Sequence, residues 1–342
     1  MSAELSKRPD GVEPSAISSP QESAAARVQQ LAEQTARLLE QSEAQNTRRI
    51  YGSYWAAWEA HCASIEARPV PGEPVVAASW IAAMAIAGKS ISTIRVALAA
   101  LRHGHAERGE PSPTDDPLVR RALKGARNSH GRPARPKRAL RIADLRKVTA
   151  ELARDERGLR DAAVLLLGWY GAFRRSELCA LRWSDLDFGD DEGVAVHLRR
   201  SKTDQGGKGR TKHIPYQSDP KLCPVRALQR WQQLCVLRGR AGEESPVFPL
   251  VLSSGAIAEK AMTGRHLADM LKERAAAAGL DPAVYSGHSL RRGFATEASR
   301  AGKKIEDIQR HLGHSAISTT AGYVEEGTGF GEHNPARGLS GT

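Results

Sequence analysis

The stretch HGRPARPKR, residues 130–138, constrains the fold of this chain more than any other. Pro133 and Pro136 remove backbone donors and bias the residues before them away from helix. Arg132, Arg135, Lys137 and Arg138 add like charges too close together to bury. Such a segment is an extended linker, and the parts on either side of it must each build a core. Before it, every patterned segment reads as helix. Residues 1–25 are rich in Ser, Pro, Glu and Ala and read as a disordered leader. Apolar positions then recur at helical spacing over 24–45 and in NTRRIYGSYWAAWEAHC (46–62), where Asn46 or Thr47 can serve as N-cap. Ile50, Tyr54, Trp55 and Trp58 form a stripe there that reads as core, with base stacking as the alternative. VVAASWIAAMAIAG closes at Gly88, SISTIRVALAALRHGHAERG opens at Ser90 or Ser92, and DPLVRRALKGARN is a short fifth helix. The expected organisation is a leader over 1–25, a helical bundle over 26–128, a basic linker over 129–139, and a second domain over 140–342 with a flexible tail.

Beyond the linker the period changes. Helices over 142–155 and 157–172 lead into GVAVHLRR, the turn TDQGGKGRT and KHIPY, a β-hairpin flanked by helices. Helical patterns return at 224–238, 263–278, 289–301, 305–311 and 317–324. The expected fold class is mainly α, with an α+β second domain carrying a small antiparallel sheet. The 342 residues suit about two domains. No apolar run approaches the roughly 18 residues of a membrane span, and the N-terminus has no apolar core of a secretory signal. Four cysteines without CxxC spacing point away from a zinc ribbon or a disulfide framework, and towards a cytoplasmic setting. The net charge is +11, yet the first 46 residues hold four basic and seven acidic side chains, so the excess lies further on. Residues 119–141 hold nine Lys or Arg and no Asp or Glu. A single charge run can be a solvated face, but this distribution favours a polyanionic partner, most simply nucleic acid.

Four motifs in the second half carry chemistry. GAFRRSELCAL (171–181) follows an apolar helix yet sets Arg174 and Arg175 ahead of Glu177, a spacing that also fits a surface ion pair. SGHSLRRGFAT (286–296) sets His288 and Arg291 three apart at a helix start, where free N–H groups and the helix dipole suit a phosphate. RRSKTDQGGKGR (199–210) places Lys202 where the strand leaves for the turn. Lys208 and Arg210 read as a solvated hairpin tip, and Lys202 admits the same reading. HLGHSAISTTAGYV (311–324) carries His314 just after Gly313, and Tyr323 nine residues on. A free phenol has a pKa near 10, so Tyr323 reacts only where its surroundings activate it. Together these residues suit a phosphodiester under attack. Two guanidiniums bind its non-bridging oxygens, a Lys or His protonates the leaving 5′ oxygen, and a tyrosine attacks. A phosphotyrosine conserves the bond energy, so neither ATP nor a metal is required.

FRRSEL, SKTDQ, GHSLRR and LGHSAISTTAGYV, in that order, resemble the tyrosine recombinase (phage integrase) family over 140–326. YWAAWEAHC, SISTIRVAL, VRRALKGARN and YSGHSLRRG resemble its Cre-like members. The resemblance implies a two-domain, C-shaped clamp around double-stranded DNA and a site-specific recombinase without cofactor. Strands would be exchanged through a 3′-phosphotyrosine and a Holliday junction, by a homotetramer on two inverted-repeat sites and with no membrane partner. It also implies roles: Arg174 and Arg291 hold the scissile phosphate, Lys202 protonates the leaving 5′-OH, and His288 assists proton transfer at the nucleophile. Glu177 supports the site, His314 hydrogen-bonds the phosphate, and Tyr323 attacks. His314 follows the wider family where Cre-like members have tryptophan, and the glycine-rich tail EEGTGFGEHNPARGLSGT departs from their docking helix. Thr47, Arg48, Ser92, Thr93, Arg95 and Arg265 are candidates for the major groove. Arg120, Arg121, Lys124 and Arg127 are candidates for phosphate contact, Arg135, Lys137 and Arg138 of the linker for a path across phosphates, and Arg292 for DNA contact. Each is equally an ordinary solvated side chain. Rival readings are a type IB topoisomerase-like relaxer, a telomere resolvase, or a DNA-binding protein that kept the fold and lost catalysis. The compact length speaks against the first two, and the complete residue set against the third.

Overall fold

The computed structural model describes residues 27, 29–31, 45–130, 137–199 and 209–328, the side chains of 45 and 324–328 excepted. The chain divides into two compact units, Met1–Ala134 and Arg135–Thr342. Among the described residues no strand precedes residue 140, and no helix is long and apolar enough to cross a membrane. The helix expected over 24–45 falls largely outside the described residues, as does the tail after 328.

The first unit is built on α1 (Gln45–Ser64), α2 (Pro74–Ile86), α3 (Ile91–Ala106) and α4 (Pro117–His130). Helix α1 begins at Gln45, so Asn46 and Thr47 lie inside its first turn and do not cap it. Ser90 does cap α3, accepting from the Thr93 N–H at 3.1 Å. Gly88, at φ +72°, turns the chain out of α2. Trp58 is fully buried, 5.3 Å between ring centroids from Trp80, with Ile81, Ile94 and Leu101 around it. The stripe is therefore core, and Tyr54 and Trp55 pack at its edge. Helix α4 turns Val119 and Ala126 inward and leaves Arg120, Arg121, Lys124 and Arg127 exposed.

The second unit is wrapped around α6 (Glu156–Tyr170), whose Leu165, Leu166 and Leu167 are all buried. A helix apolar on every side must be covered on every side, and α8 (Pro224–Leu237) and α10 (Ser289–Arg300) pack against it. Asp155 caps α6, accepting from Gly158 at 2.7 Å, and α5 stops earlier than expected, at Ile142–Ala150. The hairpin proves to be three-stranded, β1 (Leu186–Gly189), β2 (Gly193–Leu198) and β3 (Arg210–Pro215), antiparallel in that order. A second antiparallel pair, β4 (Pro249–Val251) and β5 (Ile257–Ala261), stands where no strand was expected. Strands this short carry too few alternations to be read from sequence. Helices α7 (Arg175–Ala180), α9 (Gly264–Ala277), α11 (Ile305–Leu312) and α12 (Ser318–Thr328) complete the unit. The buried Asp161 carboxylate locks α6 to α9 between Arg160 Nη2 at 2.7 Å and Arg274 Nε at 2.8 Å.

Candidate active site

Helix α6 ends in a turn that sets the site's geometry. Ala172, fully buried, adopts φ +46°, a left-handed conformation that costs a non-glycine residue about 1–2 kcal/mol. In exchange the turn presents two successive carbonyls to cations. The Gly171 carbonyl accepts from Lys212 Nζ, and the Ala172 carbonyl accepts from Arg291 Nη1 at 2.7 Å. Arg174 follows immediately and precedes α7. Its Nη1 pairs with Glu177 Oε1 at 2.6 Å, its backbone N–H donates to Glu177 Oε2 at 2.9 Å, and its Nη2 reaches the Gly313 carbonyl at 3.2 Å. The Arg174–Glu177 pair is thus no solvated surface bridge but part of a half-buried network. Burial pushes the Glu177 carboxyl up, but the Arg174 hydrogen bonds, then the Arg174 and Lys212 charges, outweigh it and hold the group below its ordinary range.

Arg291 lies one turn into α10 and is 3% exposed. Its Nη2 is buried without a hydrogen-bond partner among the described residues. Burial first, then Arg174, lowers its pKa to about 10. His288 stands at the N-cap of the same helix. The surrounding protein, then the charges of Arg175, Arg291 and Arg174, hold its imidazole below the ordinary value. Arg175 runs so close to Gly287 that any Cβ there would overlap its side chain. The 3-10 turn Pro282–Val284 before α10 is fixed by the end of the linker: Lys137 Nζ donates to the Ala283 carbonyl at 2.6 Å, and the Arg138 N–H to the Val284 carbonyl at 2.8 Å. Arg138 also stands 3.5 Å from Asp144, whose carboxylate accepts from Tyr285 Oη at 3.1 Å. Lys137 and Arg138 are therefore already engaged, although both remain exposed.

Helices α11 and α12 bring in the rest. Gly313, at φ +71°, ends α11, and His314 follows with Nδ1 at 2.9 Å from the buried Thr320 hydroxyl. The Tyr323 ring stacks on His314 at 6.0 Å and 27°, and the Arg292 guanidinium carbon lies 5.7 Å from the Tyr323 ring. Tyr323 also packs on the small cluster of Ala172, Ala295, Ile308 and Leu312. Arg292, expected as a DNA contact, is thus half-buried beside the tyrosine. Burial, then the Arg291 and Arg174 charges, pushes His314 down to about 4, so it is neutral at pH 7.

Two residues of the site were not foreseen. Arg210 was expected at a solvated hairpin tip. It is half-buried instead, with its guanidinium so close to Gly313 that any Cβ there would overlap it. Lys212 is 3% exposed and donates to the His311 carbonyl at 2.8 Å as well as to Gly171. Burial, then the Arg210 and Arg291 charges, holds Lys212 well below the ordinary ammonium value. A signal did exist: residues 210, 212 and 214 occupy one face of β3, and that face points inward. Lys202 and Arg135 lie outside the described residues. In the first unit Ser92 and Thr93 line a groove with Arg49, Ile50, Ser53 and Tyr54, while Arg48 and Arg95 are exposed and Thr47 is half-buried. Arg265 is exposed at the start of α9, 3.6 Å from Asp269.

The fold and this gathering of guanidiniums, imidazoles and one tyrosine define a class, the tyrosine-type DNA strand transferases. Residues 138–328 match the phage integrase family, and the chain belongs to it. It is 31% identical over 299 residues to an integrase/recombinase xerD homolog from Selenomonas ruminantium, covering 86% of this chain and 85% of that one. It is 36% identical over 168 residues to the tyrosine recombinase XerC of Xanthomonas campestris pv. campestris (strain B100), covering 49% of this chain and 44% of the relative. Among solved structures, the fold matches the Tn1549 transposon integrase in complex with circular intermediate DNA (TM-score 0.57, 20% identity, 86% of this chain and 93% of that one). It also matches a lambda integrase dimer bound to a COC′ core site (TM-score 0.56, 16% identity, 86% and 94%). The chain is a tyrosine-type site-specific recombinase.

Proposed function

We propose that the protein cleaves and rejoins duplex DNA through a 3′-phosphotyrosine on Tyr323, exchanging strands between two inverted-repeat sites through a Holliday junction in a homotetramer. The observation that carries the reading is Arg291: a buried guanidinium fixed by one nitrogen to Ala172, with its other terminal nitrogen unpartnered. Buried donors are nearly always satisfied, so one left open at a cluster of cations awaits an anion. Arg174, tied at the Gly313 carbonyl, stands as its counterpart on the phosphate. In the step itself the Tyr323 oxygen attacks phosphorus, the bond to the 5′ oxygen breaks, and Lys202 supplies the proton to that oxygen. The phenolic proton passes to His288 or to water, and reversal with a new 5′-OH rejoins the strand. His314 stacks on the phenol and, held neutral, can hydrogen-bond the phosphate through Nε2. Relatives of the chain are named as recombinases, and the lambda and Tn1549 integrases are described on DNA, which supports a duplex partner. Arg120, Arg121, Lys124 and Arg127, exposed on α4, are the candidates for phosphate contacts, and Ser92 and Thr93, which line a groove, are candidates to read bases. A cytoplasmic location belongs to the same proposal.

A suicide duplex nicked just 3′ of the cleavage position tests this. Wild type should form a protein–DNA adduct that survives denaturant and forms in EDTA, and Tyr323→Phe should form none. Absence of the wild-type adduct, or its persistence in Tyr323→Phe, would refute the reading.

A further inference from the structure

The charges around Gly313 do not balance. Arg174 and Arg210 both meet this glycine, the first through its carbonyl and the second through close packing on its α-carbon. Arg291 lies within electrostatic range of both. The carboxylate that responds to these cations is Glu177, and Arg174 occupies both of its oxygens. Three guanidiniums against one carboxylate leave two positive charges. Lys212, driven towards its neutral form, adds little to that excess. A phosphodiester under attack carries about two negative charges on its equatorial oxygens. Arg210 therefore supplies one of the positive charges that such a transition state calls for, and it does so at the glycine where Arg174 is tied.

Position supports the same conclusion. Arg210 begins β3 opposite Leu198, and the inward face that carries it continues through Lys212 to Ile214. An inward arginine on a strand beside other arginines is an unfavourable way to fill space, and such violations of local patterning gather where a site needs them. Gly313 is the complement. It has no side chain to keep the guanidinium out, and its backbone aims a carbonyl at Arg174 from the other side.

We infer that Arg210 is a third phosphate-contacting guanidinium, acting with Arg174 and Arg291 on the non-bridging oxygens of the scissile phosphate. This rests on the strand-transfer reading above. The test compares full-length wild type and Arg210→Ala on two suicide duplexes, one with a normal scissile phosphate and one with an uncharged methylphosphonate in its place. On the phosphodiester, Arg210→Ala should form adduct about 10–100-fold more slowly than wild type. On the methylphosphonate, where less charge needs compensating, the gap should shrink below about 3-fold. Guanidinium ion, and not urea, should restore the variant's rate on the phosphodiester. Duplex affinity and melting temperature should stay near those of wild type. Equal slowing on both substrates, without rescue, would make Arg210 a packing residue and overturn the inference, as would an unchanged rate. A wild type that forms no adduct overturns the parent reading and this one with it, whereas an adduct indifferent to Arg210→Ala overturns this one alone.

Discussion

Gly313→Ala perturbs the site at one atom, and its consequences separate into two parts. The first is backbone strain. Gly313 sits at φ +71° and ψ 47°, where a side chain costs about 1–2 kcal/mol. Gly302 supplies the control, because it has the same φ of +71° and open space where its Cβ would stand. Gly302→Ala should therefore show the strain alone, about 2–8 °C in melting temperature for a unit of this size. The reduced freedom of the unfolded chain offsets some of this equally in both variants. The second part belongs to Gly313, where the new methyl falls inside the Arg210 guanidinium and must expel it. Displacing one charge-assisted contact from the phosphate corresponds to about 1.5–3 kcal/mol, or about 10–100-fold in rate. Melting curves and adduct formation on the nicked duplex should thus diverge: both variants lose stability, but only Gly313→Ala loses cleavage. A Gly313→Ala protein that cleaves at the wild-type rate would refute the packing of Arg210 on this glycine.

Lys212→Met should slow adduct formation while leaving duplex binding near wild type. It also leaves the Gly171 and His311 carbonyls unpaired, at about 1–3 kcal/mol each in a urea titration. His311, whose Nε2 lies 2.8 Å from the Tyr170 carbonyl, is held down to about 4 by burial and then by Lys212. Its folded form resists a proton that the unfolded chain accepts near 6.5, so stability should be flat above that pH and fall as pH drops towards 4. The urea midpoint of His311→Gln should decline less steeply over that window. Duplex affinity should fall linearly on a log–log salt plot, and alanine at Arg120, Arg121, Lys124 or Arg127 should each lower the slope by about one. Asp161→Asn, which strips the charge from a carboxylate between two arginines, should destabilise the second unit by about 3–5 kcal/mol with little effect on binding.

How much of this was legible in the sequence follows from the range of the interactions. Helices α1 to α6 and α8 to α12 could be read because their apolar period repeats over two or more turns, or because a motif marked their start, whereas the six residues of α7 are too few to show a period. Strand β1, with only Leu186 and Phe188 to alternate, and the three residues of β4 gave no such repetition. The residues gathered at the candidate site were legible through ordered motifs, since Arg174, His288, Arg291, His314 and Tyr323 each sit in a distinctive local context. Arg210 and Lys212 were not, because a glycine-rich turn beside them suggested a solvated tip. The alternation of β3 sets both on the face of Ile214, but the partners that bury them, Gly313 and His311, lie about a hundred residues away, beyond the reach of any local pattern. The capping of α1 failed for a smaller reason: both candidate caps are themselves helical residues of α1.

The departures from ordinary folding rules converge on one place, and together they explain how the site stays cationic. Ala172 accepts a left-handed conformation, Lys212 is buried, the last nitrogen of Arg291 has no partner, and Gly313 is required by both its own φ and its neighbour. Carboxylates would have held these cations more cheaply, as Asp161 holds Arg160 and Arg274 elsewhere in the same unit. A carboxylate, however, would also cancel the charge. The Ala172 carbonyl orients Arg291 while leaving its charge available, the Gly313 carbonyl adds a hold on Arg174 beside Glu177, and the Gly171 and His311 carbonyls fix Lys212. The two kinds of support thus differ within one unit: Asp161 neutralises the arginines it locks, whereas Arg291 is held by a carbonyl and keeps the charge that the proposed strand transfer needs at a phosphate.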